Sequence, residues 1–158
     1  MTKTTIRPAW DEYCLKLAEV ARLRSTCLRR QVGAVLTTNT HMIIAIAYNG
    51  PPIGALHCSE LGGCLREKLH IPSGTRQELC RAVHAEQNLI LIAARYGAST
   101  LGTTMYCLNF PCVTCAKLLV QAGVKKIVYC NVYGDNESKS EALKVFKQSN
   151  IELVKRTM

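Results

Sequence analysis

His84-Ala85-Glu86 and, further along, Pro111-Cys112-Val113-Thr114-Cys115 limit what this chain can fold into, because together they hold the donors for one metal ion. Each motif stands at the start of a predicted helix that lies downstream of a predicted strand. A catalytic zinc takes three protein ligands and keeps its fourth tetrahedral position for water, so His84, Cys112 and Cys115 form a complete protein share. Glu86 lies about 200° around a helix from His84 at ~100° per residue, which is too far to chelate the same ion easily. It can still reach the water and carry protons. The cysteines, three apart, share one face of a helical turn, and Pro111 is placed in a first turn, where a helix tolerates proline. The positive helix end and the metal both favour thiolates there. A fold that uses both motifs must bring two helix starts to one point.

Either motif alone is ambiguous. His-Ala-Glu arises by chance in helices, and Cys-x-x-Cys also serves as a redox pair or half of a structural zinc knuckle. The combination favours catalysis. With 158 residues, 48% of them hydrophobic, the chain suits one domain with a single core. Met1 to Glu12 lacks the apolar stretch of a signal peptide, and no run approaches the ~18 apolar residues of a membrane span. A cytoplasmic protein is expected. Nine cysteines in a reducing compartment read as metal ligands and small buried hydrophobes, with Cys14, Cys107 and Cys130 in the second group.

The net charge of +9 raises nucleic acid as a partner. Aromatics make up only 6% and the positives are dispersed, so neither a stacking platform nor a dense basic arm is present. Nucleotide phosphates fit better, drawn by groups such as Arg22, Arg24, Arg29, Arg30, Lys125 and Lys126. A solvated basic face is the plainer alternative for any one of them.

Trp10 to Ser25 carries apolar residues at three- and four-residue spacing and reads as an amphipathic helix. Gly33 to Thr37 and Met42 to Ala47 read as strands joined by a turn at Thr38-Asn39-Thr40. His84 to Tyr96 is a helix apolar nearly all round, hence buried, and Cys112 to Ala122 is another, with Gly97 and Gly123 as their C-terminal caps. Thr103 to Leu108 and Lys126 to Asn131 read as central strands, Ser138 to Gln148 as a surface helix and Ile151 to Val154 as a short last strand. The alternation implies an α/β fold, a partly parallel sheet between helical layers.

Between Asn49 and Arg81 lies an insert rich in glycine and proline, where regular structure is not expected. It carries Cys58, Cys64 and Cys80. With Cys27 they could form a closed four-cysteine structural zinc site, although no Cys-x-x-Cys pair occurs among them and His57 or His70 could replace one ligand.

The two motifs, with Arg24-Ser25-Thr26-Cys27, Val32-Gly33-Ala34-Val35, Tyr48-Asn49-Gly50 and the segment from Gln121 to Tyr129, make residues 10 to 133 resemble the zinc-dependent cytidine and deoxycytidylate deaminases. Tyr48-Asn49-Gly50 followed by a cysteine-bearing insert is most similar to deoxycytidylate deaminases of bacterial, archaeal and phage type. The resemblance implies a three-layer cytidine-deaminase-like fold: a mixed sheet of about five strands with helices on both faces, and a single deaminase domain with an insert at about 50–81. It implies deamination of dCMP to dUMP, with catalytic zinc on His84, Cys112 and Cys115, and Glu86 passing protons from water to ring N3 and the departing amine.

It further implies that Asn49 bonds the sugar hydroxyl, that a backbone N–H of Ala85 or Cys112 helps hold the base, and that Phe110 packs on the base face. Tyr133 matches a phosphate-contacting position, with Arg24 as a second choice. Relatives carry a second zinc with ligands at the positions of Cys27 and Cys58; Ala82 departs from the phage-type pattern and leaves the full ligand set open. Regulation by dCTP and dTTP and closed homo-oligomers, commonly hexamers, also belong to the resemblance. The alternatives are another cytidine deaminase, a tRNA adenosine deaminase, and a zinc-containing nucleotide-binding regulatory protein without turnover.

Overall fold

The computed structural model describes residues 7–132 and 136–157, apart from the side chain of Asn136. The chain runs α1 (Trp10–Arg22), β1 (Gly33–Thr37), β2 (Ile43–Tyr48), a short α2 (Leu65–Lys68), α3 (Ala85–Arg95), β3 (Thr104–Asn109), α4 (Val113–Gln121), β4 (Lys126–Asn131), α5 (Asn136–Gln148) and β5 (Glu152–Lys155). The strands form one mixed sheet in the order β2-β1-β3-β4-β5. β1 is antiparallel to both β2 and β3, whereas β3, β4 and β5 run parallel through crossovers carrying α4 and α5. This is the α/β sandwich expected from the alternation of elements.

Strand periodicity sorts the core into two layers, because successive side chains point to opposite faces. Ala34 and Leu36 of β1, Met105 and Cys107 of β3 and Ile127 of β4 pack with Leu89 of α3, Leu119 of α4 and Phe146 of α5. Their neighbours Val35, Tyr106, Leu108 and Val128 face the other way and pack against Cys14, Leu15 and Ala18 of α1. Cys14, Cys107 and Cys130 are buried, as read from the sequence; burial pushes the Cys14 thiol up to about 11, which keeps it protonated and inert. No helix among the described residues is long and apolar enough to cross a membrane.

Several boundaries move by a residue or more. α1 stops at Arg22, short of the expected Ser25, and the Ser25 hydroxyl is used elsewhere, on Asn49. α4 begins at Val113, so Pro111 lies just outside the helix and not in its first turn. Gly97 and Gly123 adopt φ of 67° and 79°, and bonds from Ala98 N to Ala93 O and from Val124 N to Leu119 O close both helix ends as the glycines foretold. The insert separates β2 from α3, and regular structure within it is confined to α2 and one 3-10 turn, Gln77–Leu79. Paired backbone bonds between Gly50 and Val83, 3.2 and 2.8 Å, close its base.

Gly33 is where α1 lies closest to the sheet. A Cβ there would stand 1.9 Å from the Ala18 carbonyl oxygen and 2.8 Å from Arg22 N, both backbone atoms that cannot swing away. Gly33→Ala is expected to lower unfolding free energy by about 3 kcal/mol in urea denaturation, while Gly50→Ala, whose Cβ would meet only the Tyr48 ring at 3.9 Å, stays within about 1 kcal/mol. Equal stability of the two variants would contradict the close approach.

Candidate active site

Two helix starts converge at one end of the sheet. β3 ends at Asn109; Phe110 and Pro111 carry the chain to Cys112, which caps α4, and Cys115 lies in that helix's first turn. His84 caps α3, and Ala85 and Glu86 open it. The Gln87 side chain accepts a bond of 2.9 Å from His84 N, and Asn88 Nδ2 donates to Tyr48 O at 2.8 Å, which fixes the entry of α3 against β2. His84 Nδ1 lies 3.7 Å from Cys112 Sγ and 3.4 Å from Cys115 Sγ. Tetrahedral zinc with Zn–N near 2.0–2.1 Å and Zn–S near 2.3 Å sets nitrogen and sulfur about 3.6 Å apart. The donor trio fits one zinc ion. It is the one group among the described residues whose metal-ligating atoms all lie within 4.8 Å of one another.

The electrostatics follow from crowding these groups out of water. A hydrogen bond from Cys115, opposed by burial and reinforced by His84, pulls the Cys112 thiol down to about 4. The same hydrogen bond to Cys112, followed by burial, holds the Cys115 thiol up. Burial alone would depress the His84 imidazole, and Arg66 opposes its charge too, yet the bond to Cys112 and the nearby Glu86 raise it above its ordinary value. One proton therefore leaves readily and the second stays until a cation replaces it. Glu86 is buried, and desolvation lifts its carboxyl above the usual range although His84 pulls the other way. A carboxyl whose charged form is disfavoured this way holds a proton more readily than a solvated one and suits proton transfer.

The cavity beside the trio is lined by Asn49, Ala85, Glu86, Phe110 and all four cysteines Cys27, Cys58, Cys64 and Cys80. Its charged lining is Arg29, Arg30, Arg66, Arg81 and Lys139 against the single carboxylate of Glu86. Asn49 is committed mostly to the protein: Oδ1 accepts from Ser25 Oγ at 2.7 Å and Val32 N at 2.8 Å, and Nδ2 donates to Arg30 O at 2.9 Å. One Nδ2–H remains for a ligand. Phe110 is wedged edge-on against Tyr129 and Phe146, ring centroids 5.0 and 5.9 Å away, so it is as much core as cavity wall. Arg24 is exposed beyond α1 and is absent from the lining. Tyr133 lies outside the described residues.

The thiols of Cys27, Cys64 and Cys80 are near enough to raise the Cys58 pKa, after burial, but these sulfurs are not drawn into a ligand-tight group. His57 Nδ1 is taken by the Thr26 hydroxyl at 2.6 Å, and His70 is exposed at φ 52° outside the cavity.

Residues 8–131 match the family model described as the cytidine and deoxycytidylate deaminase zinc-binding region. The chain belongs to this family. Among its relatives, the deoxycytidylate deaminase of Schizosaccharomyces pombe is 39% identical over 127 residues, 80% of this chain and 38% of that protein. That of Mycobacterium phage D29 is 38% identical over 127 residues, 78% of this chain and 95% of the phage enzyme. The chain thus spans well under half the length of the fungal relative and nearly all of the phage one. The crystal structure of the dCMP deaminase from cyanophage S-TIM5 in complex with dCMP and dUMP superposes with a TM-score of 0.73 at 29% identity, covering 96% of this chain and 100% of that one. The mixed five-stranded sheet is the fold of that enzyme, as the sequence resemblance implied.

Cys112→Ala removes one of three donors and is expected to weaken zinc binding by at least about 100-fold, more than the loss of an outer-shell partner does. Metal analysis after dialysis against a chelator checks this; zinc retained at the unmutated level would remove Cys112 from the ligand set.

Proposed function

We propose that the chain catalyses hydrolytic deamination of dCMP to dUMP and ammonia. The observation that carries this reading is the trio at tetrahedral spacing with a buried carboxyl two residues from its histidine, inside a cavity whose other charged side chains are all cations. Support comes from curated deoxycytidylate deaminases at 38 to 39% identity and from a solved relative in complex with dCMP and dUMP.

His84, Cys112 and Cys115 hold the metal, and bound zinc supplies Lewis acidity that lowers the pKa of a water toward neutrality. Glu86 accepts the two protons of the attacking water in turn, passing the first to ring N3 and the second to the leaving amine. The C4–N bond breaks, the water oxygen becomes the new carbonyl, and ammonia carries away the amine. Ala85 N–H at the start of α3 and the remaining Nδ2–H of Asn49 orient the nucleoside, with Phe110 as the wall behind it. Burial of Glu86 keeps bulk water from competing for its proton.

The wider reading places one deaminase domain with an insert at about 50–81 in the cytoplasm, as a closed homo-oligomer open to dCTP and dTTP regulation, supplying dUMP for thymidylate synthesis. A second, structural zinc on Cys27, Cys58, Cys64 and Cys80 is part of it, supported by the four thiols facing one cavity and by an insert with little apolar core of its own. A tRNA substrate is less favoured, since the cations line a cavity and aromatics are few.

Ultraviolet assays across dCMP, CMP, dCTP, deoxycytidine and cytidine test the reaction; a preference for nucleosides without phosphate would overturn it. Glu86→Gln should keep its zinc and lose about 10²- to 10⁴-fold in kcat. Zinc lost with activity in that variant would make Glu86 a ligand instead. Cys58→Ser is expected to drop zinc content from two per chain to one and to lower the melting temperature. A single zinc in the unmutated protein would rule out the second site.

A further inference from the structure

Two buried polar side chains, Ser25 and Asn49, join the loop after α1 to the end of β2; they are 3% and 8% exposed. Asn49 lines the cavity that also holds Glu86, and Ser25 does not. The turn that closes α1 fixes Ser25: its N–H donates to Arg22 O at 2.9 Å, and its carbonyl accepts from Gln31 Nε2 at 2.7 Å. Its Oγ accepts from Cys27 N at 3.3 Å and stands 2.7 Å from Asn49 Oδ1 and 2.8 Å from Asn49 O, sharing one proton between those two acceptors.

This network leaves the Asn49 amide one orientation. Two donors, Ser25 Oγ–H and Val32 N–H, meet Oδ1, and a carbonyl, Arg30 O, meets Nδ2 at 2.9 Å. Turning the amide over would set donor against donor at Val32 and oxygen against oxygen at Arg30. Burying an acceptor stripped of its partner is unfavourable, so each contact resists that rotation. Val32 and Arg30 contribute backbone groups, which any residue would supply; the Ser25 hydroxyl is the contribution of a side chain. What remains is a donor held in one direction, the spare Nδ2–H of a residue that lines the cavity.

We infer that Ser25 is a positioning residue for sugar recognition: its hydroxyl locks the Asn49 amide so that the spare N–H meets the 3′-hydroxyl oxygen of the nucleotide. The inference deepens the proposed function and rests on the cavity being a nucleotide site. In a 2′-deoxynucleoside 5′-monophosphate the 5′ oxygen carries the phosphate and C2′ carries no oxygen, which leaves the 3′-hydroxyl as the free hydroxyl of the sugar. Ser25 reads in the sequence as the last residue of a helix, and only the fold sets it against Asn49, 24 residues away.

The test measures binding of dUMP and of 2′,3′-dideoxyuridine 5′-monophosphate to the zinc-loaded protein by calorimetry, apart from turnover. The two ligands differ only in the 3′-hydroxyl. The unmutated protein should bind dUMP about tenfold more tightly. Ser25→Ala should bring that ratio close to one by weakening dUMP while leaving the dideoxy ligand nearly unchanged. Asn49→Ala should do the same, and adding Ser25→Ala to it should change the ratio no further, because the serine acts through the amide. A serine that merely stabilised the loop would weaken both ligands alike, or lower the melting temperature with the ratio intact.

An unmutated ratio in Ser25→Ala, equal weakening of both ligands, or a further change on adding Ser25→Ala to Asn49→Ala would each overturn the assignment. So would an unmutated protein that binds the two ligands equally. Should an alanine variant fail to fold, Ser25→Cys puts a weakly donating thiol in place of the hydroxyl and should lower the ratio roughly threefold; an unchanged ratio there counts against the role. A 3′-hydroxyl preference lost in Ser25→Ala, with no deamination of dCMP by the unmutated protein, would sink the proposed reaction and leave the role of Ser25 standing. Deamination of dCMP with the ratio unaltered in Ser25→Ala would do the reverse.

Discussion

Crowding an imidazole and two thiols within 4.8 Å of one another, largely out of water, is unfavourable unless a cation neutralises the sulfurs. Much of the fold serves to impose that crowding. β3 runs through the centre of the sheet and delivers Cys112 at its carboxyl end, where α4 begins its return to the parallel strand β4. Ligand sites in α/β sheets gather at such strand ends, just outside the sheet, because helix starts and loops meet there. α3 is set alongside by Leu89 and Ala93, both buried in the layer shared with α4 and α5. Two helix amino termini then point at one spot, and both dipoles favour the negative charge of the thiolates. Metal affinity and packing are thus the same problem: a shift of α3 against α4 changes the His84 to Cys115 distance directly.

How far the sequence disclosed this can be traced residue by residue. The two motifs exposed the trio because ligand spacing within a helical turn is local: Cys112 and Cys115 share a face whatever the rest of the fold does. Strand and helix identities were equally local, carried by alternation in β1 and β3 and by capping glycines 97 and 123, and their boundaries slipped where tertiary contacts took over. Ser25 continues the helical pattern of α1, yet its hydroxyl donates to Asn49 Oδ1, and this bond helps stop the helix early. Asn49 shows the same limit. Its motif marked it as a ligand contact, but Ser25, Val32 and Arg30 occupy most of its amide, so it braces the loop 23–32 as well as facing the cavity.

Arg24 and Arg66 show why the charged residues were harder to place. In sequence Arg24 adjoins a recognisable motif and Arg66 lies in an irregular insert; in space Arg24 is exposed and Arg66 is 6% exposed. Net charge conveys that cations are present and says nothing about which are desolvated. Burial makes that distinction, because a solvated guanidinium is screened while one held in low dielectric exerts a force several-fold larger. The insert creates that environment without much regular structure, by closing its base through Gly50 and Val83 and laying residues 71–75 across two arginine side chains.

The cavity takes its lining both from the insert, which supplies Arg66, and from α3, which supplies Glu86. Binding energy gained at a group that does not react accelerates a reaction only when it is used to hold the reacting atoms in place. Residues of the insert and of the loop after α1 stand outside the donor trio, so their side chains can change without moving His84, Cys112 or Cys115. Glu86, by contrast, sits on the helix that His84 caps, and any change that tilts α3 moves the donor trio and this carboxyl together. The donor trio and its carboxyl are therefore fixed by the sheet and its two helix starts, and the rest of the cavity lining is left largely to the segment with the least regular structure.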